Sequence, residues 1–166
     1  MKFIKHWLSC LIAAALLFAP AFARAGETVP FNGSYRSGSI VIVTHARQLY
    51  YILGNGSAIR YPVGVGKAGM AWHGHASVEL KRLSPAWQAP PEIAGHYGPV
   101  VPGGSPQNPM GAAVLGLDNG NYAIHGTNNP SSVGQFVSHG CIRMHNSDVL
   151  DLYRRAPIGT EVIVLD

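Results

Sequence analysis

Two Asn-Gly pairs, each placed between short apolar runs, constrain the fold of this chain most strongly. The pairs are Asn55-Gly56 and Asn119-Gly120, the second within the turn Asp118–Asn121. Asparagine and glycine both accept the positive φ angles of a type I′ turn, so each pair predicts a β-hairpin. The predicted hairpin strands are Gln48–Leu53 with Ala58–Val65, and Ala113–Leu117 with Tyr122–Ile124.

Outside the hairpins, β-branched runs predict more strands, whereas only one stretch predicts a helix. The additional strands are Ser39–Val43, Ala76–Leu80 and Glu161–Leu165. The helix is predicted over Ser147–Arg155, with Asn146 as its N-cap and Pro157 ending it. We therefore expect a mainly β domain with one short packed helix over residues 38–166, after a flexible lead-in at residues 26–37.

Residues 66–111 are rich in glycine, proline and tryptophan and show little periodicity. Only Ala76–Leu80 within this segment has a strand pattern. A segment of this length inside one domain is usually functional, so we expect it to line a binding site or to form a lid over one.

The first 25 residues have the three-part pattern of a secretory signal peptide. Lys2 and Lys5 make a basic head, Trp7–Ala19 is a nearly continuous apolar run, and Ala23 and Ala25 are small residues where a signal peptidase requires them. The apolar run is shorter than the roughly 20 residues that span a bilayer. We expect export, cleavage after Ala25, a periplasmic location and no stable membrane anchor after cleavage.

Removal of this segment changes the charge of the chain. The whole sequence has 12 basic and 8 acidic residues. The segment contains three basic residues and no acidic ones, which leaves nine against eight. A nearly neutral chain without like-charged runs has no sequence feature of a nucleic-acid-binding protein, so we expect no nucleic-acid partner.

The predicted cleavage also leaves a single cysteine, Cys141, because Cys10 lies in the segment removed. Cysteines of exported proteins usually occur in pairs, so an odd one calls for burial or reactivity as its explanation. Cysteine attacks as a thiolate and needs a base for its proton, and His125 and His139 are both candidates. Gly140 would let backbone N–H groups approach an oxyanion.

The motif His125-Gly126-Thr127, followed by Ser138-His139-Gly140-Cys141-Ile142-Arg143, resembles the signature of the L,D-transpeptidase (YkuD-like) family. Tyr61–Lys67 is similar to the second strand of that family, and the resemblance covers about residues 38–166. It departs from the family at Ala71–His75, where many members have a turn rich in proline and threonine. The resemblance implies the L,D-transpeptidase type of β-sandwich or barrel.

The resemblance also implies a cysteine acyltransferase that acts on peptidoglycan stem peptides without a cofactor or a metal. Cys141 would form a thioester with a tetrapeptide stem and release D-alanine, and His125 would take and return the proton. His139 and Gly140 would shape the oxyanion site, and Ser138 could also orient an imidazole. The expected substrate contacts are Arg143, Ser138, Thr127, Gly126, Trp72 and Tyr122.

The acceptor stays open at this point. An amine acceptor would give a 3→3 cross-link, an exchanged D-amino acid or a tethered outer-membrane protein, whereas water would make the chain an L,D-carboxypeptidase.

Two alternatives come from other classes of protein. One is a metal site that includes His73 and His75, although the sequence lacks the His-Glu-x-x-His and Cys-x-x-Cys spacings. The other is a non-catalytic wall-binding module in which Trp72 and Trp87 stack on sugar rings. A reactive Cys141 thiol would favour the enzyme over both.

Overall fold

The computed structural model describes residues 25–96, 98–120 and 122–166. The predicted signal peptide, apart from Ala25, lies outside these residues, and so does Asn121 of the second predicted turn. Within the described part of the chain, no helix has the length and apolar character to cross a membrane.

Short strands dominate the described residues, and the longest helix has ten residues. The strands are β1 (Glu27–Pro30), β2 (Ile40–Val43), β3 (Gln48–Gly54), β4 (Ser57–Pro62), β5 (Val65–Gly66), β6 (Gly74–Leu83), β7 (Trp87–Gln88), β8 (Val100–Val101), β9 (Ala113–Leu117), β10 (Ala123–His125), β11 (Phe136–Ser138), β12 (Ile142–Arg143) and β13 (Glu161–Leu165). The helices are the single turn α1 (Pro91–Ala94) and the packed helix α2 (Asn146–Arg155), with a 3₁₀ turn at Pro130–Ser132. The predicted mainly β fold with one packed helix is confirmed.

Nine strands form one mixed sheet in the order β1-β4-β3-β2-β13-β6-β9-β10-β12. Two small sheets accompany it, β5 with β11 and β7 with β8. Within the described residues, one isolated pairing links the two sides of the large sheet. Gly64, which follows β4, lies antiparallel to Arg143 of β12, and the N–H of each donates to the carbonyl of the other at 2.8 Å. The sheet therefore curls into a barrel-like wall whose seam lies next to Cys141.

The inner face of the sheet carries the main core. Side chains alternate between the two faces of a strand, so Ile40 and Ile42 of β2 point inwards and Val41 points outwards. Helix α2 covers the inner face with the fully buried Val149 and Leu152. A smaller outer cluster consists of Val41, Ile52, Ala58 and Ile163, packed against Phe31, Tyr35 and Tyr50. The central strands are apolar on both faces because both faces are covered.

A buried charged cluster fixes α2 to the sheet. The hydroxyl of Tyr61 in β4 donates to Asp151 of α2 at 2.6 Å, and Arg155 Nε donates to the same carboxylate oxygen at 2.9 Å. Burial alone would raise the pKa of Asp151, but the hydrogen bonds from Arg155 and Tyr61 lower it below its usual value. The carboxylate therefore stays charged, and burial together with that charge raises the pKa of Tyr61.

Both predicted hairpins are present. Asn55 and Gly56 have φ angles of 51° and 70°, as a type I′ turn requires, and they join the antiparallel strands β3 and β4. Strands β9 and β10 also pair antiparallel, with His125 opposite Val114. The sequence therefore identified both hairpins from local residue chemistry, and the positive φ angles expected of an Asn-Gly pair are present at Asn55-Gly56.

The segment at residues 26–37, predicted as a flexible lead-in, contains a paired strand. Strand β1 lies antiparallel to β4, with Thr28 opposite Ile59. Phe31 and Tyr35 then pack on the outer cluster. The prediction is wrong for Glu27–Pro30 because the backbone edge of β4 accepts one more strand, a pairing that depends little on the side chains.

The substitution Tyr61→Phe tests the anchor of α2. It removes a buried hydrogen bond to a charged group, so we expect the free energy of unfolding to fall by about 1.5–3 kcal/mol, measured by urea denaturation. Tyr51→Phe is the matched control, because the Tyr51 hydroxyl donates to the Arg155 carbonyl at an exposed position. The control should lose less than about 1 kcal/mol, and equal losses would contradict the proposed anchor.

Candidate active site

The pairing of β10 with β12 places His125 and Cys141 on one face. The two strands run parallel, with Ile124 beside Ile142 and His125 beside Arg143. Ile124 and Ile142 belong to the main core, so His125, Cys141 and Arg143 face the other way. These three residues line one small cavity of about 100 Å³.

Residues of the long glycine- and proline-rich segment complete the wall of this cavity. The remaining lining residues are Trp87, Pro109, Met110, Ser138 and His139. Trp87 is in β7, which pairs with β8 as a small separate sheet, and Pro109 and Met110 come shortly before β9. Trp87, Pro109 and Met110 of this segment thus line the cavity that contains Cys141. Met110 and Pro109 were not singled out as site residues because neither carries reactive chemistry.

The imidazole of His125 is buried and neutral. Its Nδ1 lies 2.6 Å from the carbonyl oxygen of Gly126, which can only accept, so Nδ1 carries the proton and Nε2 holds a lone pair. Burial lowers the pKa of His125 to about 4, assisted by the charge of Arg143 and opposed by the carbonyls of Gly126 and Pro109. At neutral pH this ring is a proton acceptor.

Cys141 is held as a thiol at neutral pH. Burial raises its pKa above the ordinary value, while the backbone of Ala123 and the charge of Arg143 act in the opposite direction. A protonated thiol beside a neutral imidazole needs the proton to move as the sulfur attacks. The site therefore has the components of general-base catalysis, and its resting state is not an ion pair.

The turn from Ser138 to Cys141 is fixed by one hydroxyl. Ser138 Oγ donates to the Cys141 carbonyl at 2.6 Å and accepts from the Gly140 N–H at 3.1 Å. Ser138 is buried, and these bonds connect it to the loop and not to an imidazole. The Gly140 N–H has the Ser138 hydroxyl as its acceptor, and the expectation that neighbouring N–H groups serve an oxyanion stays a prediction.

Gly140 contributes backbone geometry instead. Its φ angle is 119°, in the region that L side chains rarely adopt, and a Cβ atom there would collide with the ring of Tyr122. Tyr122 stacks on Trp72, with ring centroids 5.3 Å apart and planes 8° apart. The indole N–H of Trp72 donates to the Gly140 carbonyl at 3.1 Å.

Trp72 and Tyr122 therefore support the cysteine loop and do not line its cavity. They were expected to contact substrate, and Trp87 is the tryptophan that lies on the cavity wall. The sequence could not separate the two tryptophans, because each stands in a glycine-rich segment without periodicity.

Gly126 and Thr127 do not line this cavity, and their contact with a substrate stays a prediction. The side chain of Asn146 accepts from the N–H groups of Ala112 and Thr127 at 3.0 and 3.1 Å, and donates to the Thr127 carbonyl at 3.1 Å. A Cβ on Gly126 would collide with this amide. Asn146 thus ties the end of β10 to the start of β9.

Asn146 was predicted as the N-cap of α2, and the structure differs. His145 occupies the N-cap position, and the helix begins at Asn146. The local sequence suggested a cap because asparagine favours that position, whereas the partners of Asn146 are 19 and 34 residues away along the chain.

His139 is exposed at the mouth of the cavity, where its Nε2 lies 3.4 Å from Lys67 Nζ. His73 and His75 are exposed, and His75 lies 3.3 Å from Glu161. Among the residues described, no group of three or more histidine, cysteine or acidic side chains is arranged to hold a metal ion.

The family model of the YkuD L,D-transpeptidase catalytic domain matches residues 37–164. This chain belongs to the YkuD family. YqjB of Bacillus subtilis (strain 168) is 38% identical over 133 residues, which cover 76% of this chain and 70% of that protein. YbiS of Escherichia coli (strain K12) is 35% identical over 139 residues, which cover 78% of this chain and 44% of that protein. Both relatives carry L,D-transpeptidase in their names.

Solved structures have the same fold. L,D-transpeptidase 3 from Mycobacterium tuberculosis, in complex with a faropenem-derived adduct, has a TM-score of 0.59 at 16% identity, covering 78% of this chain and 60% of that chain. The match supports the YkuD fold of the described residues. This chain spans less than half of the length of YbiS.

The low pKa of His125 predicts an unusual pH profile for this YkuD domain. A base must be neutral, and His125 becomes protonated only as the pH falls through about 4. We therefore expect the second-order rate constant for acylation by a β-lactam to stay level down to about pH 5 and to fall below it. An acid limb centred near 6.5, the ordinary histidine value, would contradict this. Tryptophan fluorescence at each pH would verify that the protein remains folded.

Proposed function

We propose that this chain is a peptidoglycan L,D-transpeptidase that works through a thioester on Cys141. The substrate class is a tetrapeptide stem, in which the third residue has an L-centre and is often meso-diaminopimelate, and the fourth is D-alanine. The bond broken in the first half-reaction joins these two residues. Membership of the YkuD family supports the reaction class. None of the steps requires a cofactor.

The first half-reaction forms the acyl-enzyme. The sulfur of Cys141 attacks the carbonyl carbon while its proton passes to Nε2 of His125. The tetrahedral intermediate collapses, the C–N bond breaks, and the leaving D-alanine amine takes the proton from His125. The thioester and free D-alanine are the products.

The second half-reaction reverses these roles. An acceptor amine attacks the thioester carbonyl and gives a proton to His125. The C–S bond then breaks, and the departing sulfur recovers that proton as the new amide forms. The protonated imidazole exists only between the two proton transfers, which suits a site that disfavours its charge.

One observation supports this assignment most directly. His125 and Cys141 line the same cavity: His125 ends β10, Cys141 immediately precedes β12, and the two strands pair with Ile124 beside Ile142. The base stands on a separate strand from the nucleophile, so it can face both the leaving and the incoming amine. His139, two residues before Cys141, is exposed and lies next to Lys67.

Supporting roles follow from where the other residues lie. Arg143 lines the cavity, and we propose that its guanidinium meets a carboxylate of the stem peptide. His139 shapes the entrance on the oxyanion side. Ser138, Trp72 and Tyr122 hold the cysteine loop in place.

The acceptor decides the biological outcome. A second stem peptide gives a 3→3 cross-link, a D-amino acid gives exchange, an amine of an outer-membrane protein gives tethering, and water gives carboxypeptidase activity. We propose that the thioester is transferred to an amine, without a choice among the amine acceptors. The alternative is that water hydrolyses the same thioester.

Export is part of the proposal. The sequence pattern of residues 1–25 supports cleavage after Ala25 and a periplasmic location in contact with the wall.

Alanine variants separate the two histidines. Cys141→Ala should abolish adduct formation with a carbapenem, and His125→Ala should slow it by about 10²–10⁴-fold because general-base assistance is lost. His139→Ala should be milder, and His73→Ala, at an exposed loop position, is the matched control. Time-resolved intact mass spectrometry gives the rates. A dead His139→Ala beside a near-normal His125→Ala would overturn the assignment of the base.

Purified muropeptides with tetrapeptide stems test the reaction itself. We expect the protein to release D-alanine and to produce either a dimer linked through the third residues or, with an added D-amino acid, an exchanged stem. Mass spectrometry distinguishes both from the tripeptide that hydrolysis leaves. Tripeptide as the sole product would favour the carboxypeptidase, and no turnover despite β-lactam acylation would exclude this substrate class.

A further inference from the structure

A second cavity, of about 650 Å³, lies away from Cys141, between β1, β4 and the start of α2. Its lining residues are Gly26, Glu27, Gln48, Arg60, Pro62, His145, Ser147 and Asp148. Asp148 is only 5% exposed. The side-chain oxygen Oε1 of Gln48 is buried and receives no hydrogen bond in the described structure. This cavity thus presents two acceptors to a ligand with donors.

Asp148 has no cationic partner among the ion pairs of the described residues. Glu27 pairs with Arg60, and the neighbouring Asp151 pairs with Arg154 and Arg155. Among the side-chain hydrogen bonds of the described residues, Asp148 accepts one from the Ser147 hydroxyl, at 3.4 Å. A buried carboxylate is costly unless it is paired.

The surroundings of Asp148 show which group could pair with it. Burial raises the pKa of Asp148, and Asp151 adds to this, while His145, Ser147 and the backbone N–H of Gly26 act in the opposite direction. The Gly26 nitrogen is therefore close enough to favour the charged carboxylate. The register of β1, in which Glu27 lies opposite Arg60, fixes the position of that nitrogen.

Gly26 is also tightly packed. Its φ angle is 67°, and a Cβ atom would collide with the side chains of Ile59 and Tyr61. Only glycine fits this position without displacement of the core. Gly26, the predicted first residue of the mature chain, thus lies next to Asp148.

We propose that this cavity is a binding site for the α-ammonium group of Gly26, created when a signal peptidase hydrolyses the bond between Ala25 and Gly26. Water adds across the amide, the carboxylate leaves with Ala25, and the Gly26 nitrogen becomes an ammonium. Asp148 is its counter-ion, and Gln48 Oε1 is a further acceptor. The inference rests on the export proposed above and is independent of the reaction at Cys141.

The sign of the pH effect follows from the pairing. An ammonium stabilised by a carboxylate has a raised pKa in the folded state. Its contribution to stability is complete below the ordinary value of about 7.7–8.0, and is lost as the pH rises through the raised value. Before cleavage the amide carries no charge, so the processed chain is the more stable form.

NMR titration of the protein exported by its own leader tests the site. With glycine labelled at ¹³Cα, only an N-terminal glycine shifts strongly between pH 6 and 11. We expect the pKa of the Gly26 amine at about 9 or above in the native protein, and at about 7.7–8.0 in Asp148→Asn. Glu79→Gln, an exposed carboxylate on β6, should leave it raised.

A second variant leaves Asp148 intact. One alanine inserted between Ala25 and Gly26 keeps Ala23 and Ala25 at the recognised positions, so the mature chain begins one residue earlier and its amine moves by about 3.8 Å. We expect an ordinary amine pKa and a Tm about 3–6 °C lower at pH 7, with the difference vanishing at pH 10.5.

Three results would overturn the site: an ordinary amine pKa in the native protein, a raised one that survives Asp148→Asn, or a mature chain that mass spectrometry shows to begin at another residue. Carbapenem acylation of the same samples is a separate readout. Its loss would count against the function of Cys141 and would leave the ammonium site standing.

Discussion

Two hydrogen bonds between Gly64 and Arg143 hold the candidate site in register. They close the nine-stranded sheet at the point where the chain passes from Cys141 into β12. On its other side, β12 pairs with β10, which ends at His125. The short strand that follows the cysteine is therefore fixed on both edges, and its side chains cannot turn to the other face without the loss of both pairings.

Burial sets the protonation states of His125 and Cys141. The same low-polarity environment lowers the pKa of His125 and raises that of Cys141, so both groups are uncharged at rest. Exposed, the two groups would titrate nearer their ordinary values. The thiol therefore stays protonated at neutral pH, and the hydrogen bond from Nδ1 of His125 to the Gly126 carbonyl leaves the lone pair on Nε2.

Much of the secondary structure could be predicted from the sequence, because turns, strands and helices are determined largely by residues close to one another in the chain. The Asn55-Gly56 turn, the strand runs and α2 each depend on residues within a few positions of one another. The pairing of His125 with Cys141 came from their motifs and the resemblance to the family, and its catalytic role stays a proposal. The sequence does not predict the side chains that hold the site in place. The Asn146 amide, the Trp72 indole and the Ser138 hydroxyl form hydrogen bonds with backbone atoms, and the folded chain determines which backbone atoms lie within reach. The preference of asparagine for N-cap positions predicts a capping role for Asn146. In the structure its side chain instead accepts hydrogen bonds from the N–H groups of Ala112 and Thr127, which are distant in sequence.

The closing seam also has a consequence for the order of events in folding. Gly64 and Arg143 are far apart in the sequence, so their pairing requires a long loop to be ordered first. Before that step His125 and Cys141 lie in an open chain, without the strand pairing that aligns them. His125 and Cys141 are therefore aligned only once the barrel has closed, so any reaction that needs both side chains depends on this long-range pairing.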